Sequence, residues 1–170
     1  MLNKGDEAPD FALRGYQGGK FDTYRLSDVL EDGKSVLLTF YYADFSPVCS
    51  TQMCDYQDAN WFQYKTNLEI WGISRDGPFS HKKFAEDNDL GYPLLSDVEG
   101  EACAAYDALE TDATVEDLPR QEMDVNGIPG MPQRSVYLVS ADGIINYAWQ
   151  ADDNFESPEI NHIQQAIKSM

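Results

Sequence analysis

Basic residues are scarce in this 170-residue chain: 12 Lys and Arg stand against 30 Asp and Glu, a formal charge of −18. Such a surface has little with which to neutralise phosphates, so nucleic acid is not an expected partner. Histidine (two) and cysteine (three, at positions 49, 54 and 103) are sparse as well. A small, odd number of cysteines does not build a secreted disulfide scaffold, and in a reducing compartment it points to redox or metal chemistry. No stretch approaches the roughly 18 apolar residues of a membrane span. Residues 1–10 are polar and carry no apolar signal-peptide core, so the expected location is the cytoplasm, away from membranes. Internal repeats, low-complexity tracts and Pro/Gly/Ser-rich linkers are missing, and residues 1–170 read as one domain.

What is present is enough apolar mass to fold: 42% of residues are hydrophobic and 12% aromatic, which offsets chain entropy despite the acidity. The expected product is a folded, highly acidic globule. Its self-repulsion at low ionic strength suits a salt-rich cytoplasm, as in a halophile. The melting temperature is therefore expected to rise as KCl is added; equal stability without salt contradicts that reading.

Phe11–Leu13 and Phe21–Arg25 flank a glycine-rich turn and predict an N-terminal hairpin, followed by one helical turn at Leu26–Leu30. Ser35–Tyr42 is a nearly continuous β-branched, apolar and aromatic run, suited to a central strand covered on both faces. A helix from Ser46 to about Lys65 separates it from a second strand at Leu68–Ser74, and strand, helix, strand implies a parallel crossover. Ser80–Asn88 predicts a helix with a serine cap, Tyr92–Ser96 a strand and Gly100–Tyr106 a helix. Arg134–Val139 and Ile144–Trp149 form a second hairpin around Ala141-Asp142-Gly143. Ser157–Met170 closes the chain with a helix whose Ile160, Ile163 and Ile167 mark one buried face. Parallel crossovers with a late hairpin predict a three-layer α/β/α sandwich with a mixed sheet, and Asp107–Met131 reads as a long acidic surface loop.

The chemistry concentrates in Ser46-Pro47-Val48-Cys49 and the residues after it. Ser46 as a hydroxyl cap and Pro47 at the first helical position start a helix. Cys49 then falls in the first turn, beside unpaired N–H groups and the positive end of the helix dipole, where a thiol is converted to a thiolate. The alternative is that Cys49 is a small buried hydrophobe. Cys54 lies five residues on; in an intact helix the two Cα atoms are about 8.6 Å apart, whereas a disulfide needs roughly 4.4–6.8 Å. A Cys49–Cys54 disulfide therefore requires the first turns to unwind. The pair could instead begin a zinc site, but there is no second cysteine pair, and His81 and His162 are remote in sequence. Cys103 reads as a core thiol, with a minor possible role as an alternative disulfide partner.

Ser46-Pro47-Val48-Cys49 with Gln52 and Cys54 resembles the active-site helix of peroxiredoxins, specifically the Q type, also called bacterioferritin comigratory protein. The resemblance continues through Gly5-Asp6-Glu7-Ala8-Pro9-Asp10-Phe11-Ala12-Leu13, Ile73-Ser74-Arg75-Asp76, Phe84-Ala85-Glu86, Pro93-Leu94-Leu95-Ser96-Asp97 and Arg134-Ser135-Val136-Tyr137-Leu138-Val139. It implies a thioredoxin-like fold, with Cys49 as peroxidatic cysteine, Cys54 as resolving cysteine, Ser46 as the hydroxyl of the active-site motif and Arg134 as the distant active-site arginine. Arg134 also has a structural reading, as an ion-pair residue in a very acidic chain. One departure stands out: the family motif has proline seven residues before the peroxidatic cysteine, where this chain has Tyr42.

The expected activity is thiol-dependent reduction of hydrogen peroxide or an organic hydroperoxide, with no cofactor or metal. A thioredoxin-like or other dithiol would regenerate the thiols, and the protein would be a monomer or homodimer. Two other readings stay open. A thiol–disulfide oxidoreductase of the same fold is disfavoured by four residues between the cysteines where two are expected. A peroxide-sensing module without efficient turnover would follow if Tyr42 compromises the pocket.

Overall fold

A computed structural model describes residues 1–59, 61, 66–110 and 128–170. Its centre is a seven-stranded mixed sheet in the order β2 (Lys20–Arg25), β1 (Ala12–Gln17), β5 (Leu94–Ser96), β4 (Leu68–Ser74), β3 (Ser35–Phe40), β6 (Ser135–Val139) and β7 (Ile145–Gln150). β1 (Ala12–Gln17) and β2 (Lys20–Arg25) form the N-terminal hairpin. Gly18 and Gly19 both have positive φ, 55° and 90°, which two-residue hairpin turns of the primed type demand. α1 (Leu26–Glu31) follows directly.

β3 (Ser35–Phe40) is buried along its whole length, between parallel β4 (Leu68–Ser74) and antiparallel β6 (Ser135–Val139). The period-two rule explains its unbroken apolar run, because both of its faces are covered. Leu37 points into one core, while Val36, Leu38 and Phe40 point into the other. The first core is covered by α2 (Pro47–Asp58), α3 (Pro78–Asp87) and α5 (Ile160–Lys168), through Met53, Phe84, Ile163 and Ile167. The second lies under α1 and α4 (Glu101–Ala105), through Leu26, Ala102 and Cys103. β5 (Leu94–Ser96) pairs with β1 and β4, and β7 (Ile145–Gln150) with β6. This is the expected three-layer thioredoxin-like sandwich.

Two helix boundaries differ from the expected ones. α3 begins at Pro78 with Gly77 as its cap, because proline at the first helical position opens the helix before Ser80 is reached. α2 ends at Asp58, short of the expected Lys65, because its C-cap Ala59 takes an extended backbone (φ −68°, ψ 123°) that stops the helix; residues 60 and 62–65 of the expected run lie outside the described residues. Of the expected loop Asp107–Met131, residues 111–127 are likewise outside them. Its two ends are bound to each other: the Glu110 N–H donates to the Met131 carbonyl at 2.8 Å and the Gly130 N–H to the Glu110 carbonyl at 2.8 Å.

α2 sits close on the sheet because β4 offers it Gly72. A Cβ there would lie 2.5 Å from Met53 Cε and 2.7 Å from Leu94 Cδ2. The far half of α2 is also tied down, with the Tyr92 hydroxyl donating to the Met53 carbonyl at 2.7 Å and the Gly91 N–H to Gln57 Oε1 at 2.9 Å. Among the described residues no helix is long and apolar enough to cross a membrane.

Candidate active site

The chain leaves β3 at Phe40, runs through Tyr41–Phe45 and enters α2. Pro47 occupies the first helical position and Cys49 the third, as the sequence implies. Ser46 is the N-cap residue, but its hydroxyl makes no cap hydrogen bond. The expected side-chain cap is therefore absent: the fixed φ of Pro47 sets the helix start, and the hydroxyl is not committed to the helix end. Just before it, Phe45 adopts φ of 64°, a left-handed conformation costly for a bulky side chain, and stacks edge-on against Phe84 at 5.3 Å.

Cys49 is fully buried, with its sulfur facing the end of the sheet next to β6. There Arg134, one residue ahead of β6 and also fully buried, donates from Nη2 to Cys49 Sγ at 3.2 Å. The structure thus brings together two side chains 85 positions apart in sequence. The remaining partners of the guanidinium among the described residues are carbonyl oxygens. Nη1 donates to Gln52 Oε1, Nε to the Asn154 backbone carbonyl at 3.2 Å, and Nη2 to the same carbonyl at 2.9 Å. Arginine keeps its charge at any accessible pH, and a buried charge needs an opposite one. Among these partners only the sulfur can carry a negative charge.

Sequence reasoning does not single out Gln52 or Asn154 as a site residue in its own right. Gln52 lies three residues after Cys49, on the same helix face, and that spacing is the available signal. Its amide is held by Tyr56, with Nε2 donating to the tyrosine oxygen at 3.0 Å. Asn154 also fixes Arg134 from behind, its Oδ1 accepting the Arg134 N–H at 2.8 Å. No pattern in Asp152-Asp153-Asn154 marks it.

Cys54, also on α2, is half-buried, and its thiol points away from Cys49 toward Asn88 Oδ1, 3.6 Å away. Burial, with the carboxylates of Asp58 and Asp55, pushes its pKa up. None of the three cysteines is joined in a disulfide. Cys103 packs in the core under the opposite face of the sheet from Cys49, so the minor expectation that it partners either sulfur is not supported by the arrangement. Burial and Asp97 push its thiol well up, as suits an inert core residue. Tyr42, in the place of the family proline, is a buried aromatic of the α2-side core.

His81, one of the two histidines weighed for zinc, faces Asp44 and not the sulfurs, with Nδ1 2.9 Å from Oδ2. Among the described residues no three His, Cys, Asp or Glu side chains converge as metal ligands.

Comparison with known proteins agrees with this geometry. The AhpC/TSA family matches residues 4–148. Peroxiredoxin Bcp of Bacillus subtilis is 30% identical over 166 residues, covering 98% of this chain and 93% of the relative. The chloroplastic peroxiredoxin Q of Populus jackii is 30% identical over 172 residues, covering 98% and 67%. The crystal structure of peroxidoxin BcpB from Mycobacterium tuberculosis superposes with a TM-score of 0.72 at 27% identity, covering 98% of this chain and 95% of that one. The chain belongs to the AhpC/TSA family and is a peroxiredoxin of the Q, or Bcp, type, a thiol-dependent peroxidase.

Proposed function

We propose that Cys49 is the nucleophile of this peroxidase and Cys54 its resolving thiol, acting on hydrogen peroxide or an organic hydroperoxide in the cytoplasm. A thioredoxin-like dithiol returns the protein to its starting state. The observation that carries this reading is the buried guanidinium of Arg134 donating to Cys49 Sγ at 3.2 Å, at the first turn of α2.

The Cys49 thiolate attacks one peroxide oxygen. The O–O bond breaks, the sulfur becomes a sulfenic acid, and the departing hydroxide or alkoxide takes up a proton to leave as water or alcohol. Negative charge moves from sulfur to the leaving oxygen, so donors placed around the sulfur stabilise the transition state. Arg134 is the fixed positive donor, and the Ser46 hydroxyl and the Cys49 N–H are the others at hand. The Cys54 sulfur then displaces hydroxide from the sulfenic acid, giving a disulfide and water. With both residues on one helix and their thiols pointing apart, that step needs the first turns of α2 to open. The outside dithiol takes over the disulfide.

Single-turnover oxidation by peroxide followed by mass spectrometry tests the assignment. Rapid sulfenic acid formation on Cys49, then a Cys49–Cys54 disulfide, is expected; a rate no better than free cysteine, or a disulfide elsewhere, refutes it.

The raised pKa of Cys54 gives the second step a pH dependence. Its thiolate fraction is small at neutral pH and grows as pH rises, so disulfide formation accelerates through the alkaline range. Asp58→Asn removes one of the causes and moves that acceleration to lower pH, measurable by stopped flow. A pH-independent step contradicts the role of the Cys54 thiolate.

A further inference from the structure

We propose that the buried Asp44–His81 pair is a positioning device that pins the loop ahead of Cys49 and so sets how readily α2 opens for the disulfide. The inference rests on the roles just given to Cys49 and Cys54.

Asp44 lies two residues before the N-cap of α2, and its side chain is 1% exposed. Its carboxylate accepts the Tyr41 hydroxyl at 2.6 Å and the Ser80 hydroxyl at 2.8 Å. His81 Nδ1 lies 2.9 Å from Oδ2 and 3.1 Å from Oδ1. His81 Nε2 is 3.0 Å from the Leu95 carbonyl, which can only accept, so Nε2 carries a proton. Nδ1 therefore either donates to an ionised Asp44 or accepts from a protonated one. In both forms the contact is a hydrogen bond, and it ties the loop to α3 and, through Leu95, to β5. The loop backbone has its own tie: the Asp44 N–H donates to Asp76 Oδ2 at 2.8 Å, and that oxygen also accepts the Ser74 hydroxyl at 2.6 Å. None of these groups touches either sulfur.

The consequence lies in where the pins fall. Upstream the chain is fixed at Asp44; downstream it is fixed at Met53, whose carbonyl accepts the Tyr92 hydroxyl. Cys49 sits between, so the first turns must rearrange within a segment held at both ends. Fixing the ends withholds conformational entropy from the open form. Weakening the upstream pin returns it, and the open form gains population. Oxidised Cys49 is then drawn toward the disulfide, and less of it reacts with a second peroxide to become sulfinic acid.

The test uses the full chain carrying Ser80→Ala, Tyr41→Phe or His81→Gln, each removing one partner of Asp44, with Asp44→Asn as the conservative variant. The two hydroxyls donate to different carboxylate oxygens, so the single amide oxygen introduced by that last change keeps one of them while its N–H can donate to Nδ1, and an acceleration no larger than that of the single-partner variants is expected of it. For Ser80→Ala and Tyr41→Phe, disulfide formation is expected to accelerate about threefold to tenfold, the net worth of one typical hydrogen bond. The peroxide dose that converts half of Cys49 to sulfinic acid, read by mass spectrometry, should rise in proportion. The first oxidation, measured by sulfenic acid trapping, should change far less. A role confined to folding would instead lower the melting temperature and slow both steps together, and that result overturns the inference. So does an unchanged rate of disulfide formation in the folded variants. If the unaltered protein forms no Cys49–Cys54 disulfide, the site assignment and this inference fall together; if it does and the variants match it, only the pin is refuted.

Discussion

Arg134→Met is expected to slow oxidation of Cys49 by about 10²–10³-fold, the usual loss when one preorganised donor facing developing charge is removed. The guanidinium is the fixed cation at the sulfur and it is already oriented, by Gln52 on one side and Asn154 on the other. The substitution also strands those carbonyl oxygens in the core, at about 1–3 kcal/mol for each group left without a donor. Loss of fold and loss of chemistry must therefore be separated, by stopped-flow oxidation on protein whose near-ultraviolet circular dichroism matches that of the unaltered chain. Arg134→Lys is the sharper control. Lysine keeps the charge but cannot reach the sulfur, Gln52 and Asn154 together, so most of the loss should persist. A lysine variant at full speed would mean that charge alone suffices and that the planar fork has no part.

Cys54→Ser should leave the first oxidation intact and bring thioredoxin-driven turnover down to the level of a protein-free control. Sulfenic acid then accumulates on Cys49 and, with excess peroxide, goes on to sulfinic acid. Mass spectrometry distinguishes the two by one oxygen. Cys103 offers no rescue in this arrangement, because it lies beneath the other face of the sheet. If turnover survives in Cys54→Ser, an outside thiol resolves the sulfenic acid and Cys54 loses its assigned role.

The fold was legible wherever burial imposed a period. β3 and β4 could be read because strands covered on both faces must be apolar throughout, and the Ile160, Ile163, Ile167 spacing betrayed the face of α5. The first turn of α2 could be read because proline restricts where a helix begins. The hydroxyl cap at Ser46 could not, since a serine in the right place does not show which way its side chain turns. The same limit hid the start of α3, where Pro78 outweighed Ser80. In the site, Cys49, Cys54 and Arg134 stood out by residue type and by resemblance. Gln52 could have been found from its helical spacing. Asn154 and the pairing of Asp44 with His81 depend on which distant segments the sheet brings side by side, and no local pattern records that.

The depth at which Cys49 lies has a practical consequence. Cys49 is fully buried, so a bulky maleimide or iodoacetamide is expected to reach it slowly. Cys54, half open to solvent, meets such reagents first. A bench survey of thiol accessibility on this protein is therefore expected to rank Cys54 ahead of Cys49, the reverse of the order in which the proposed reaction uses them.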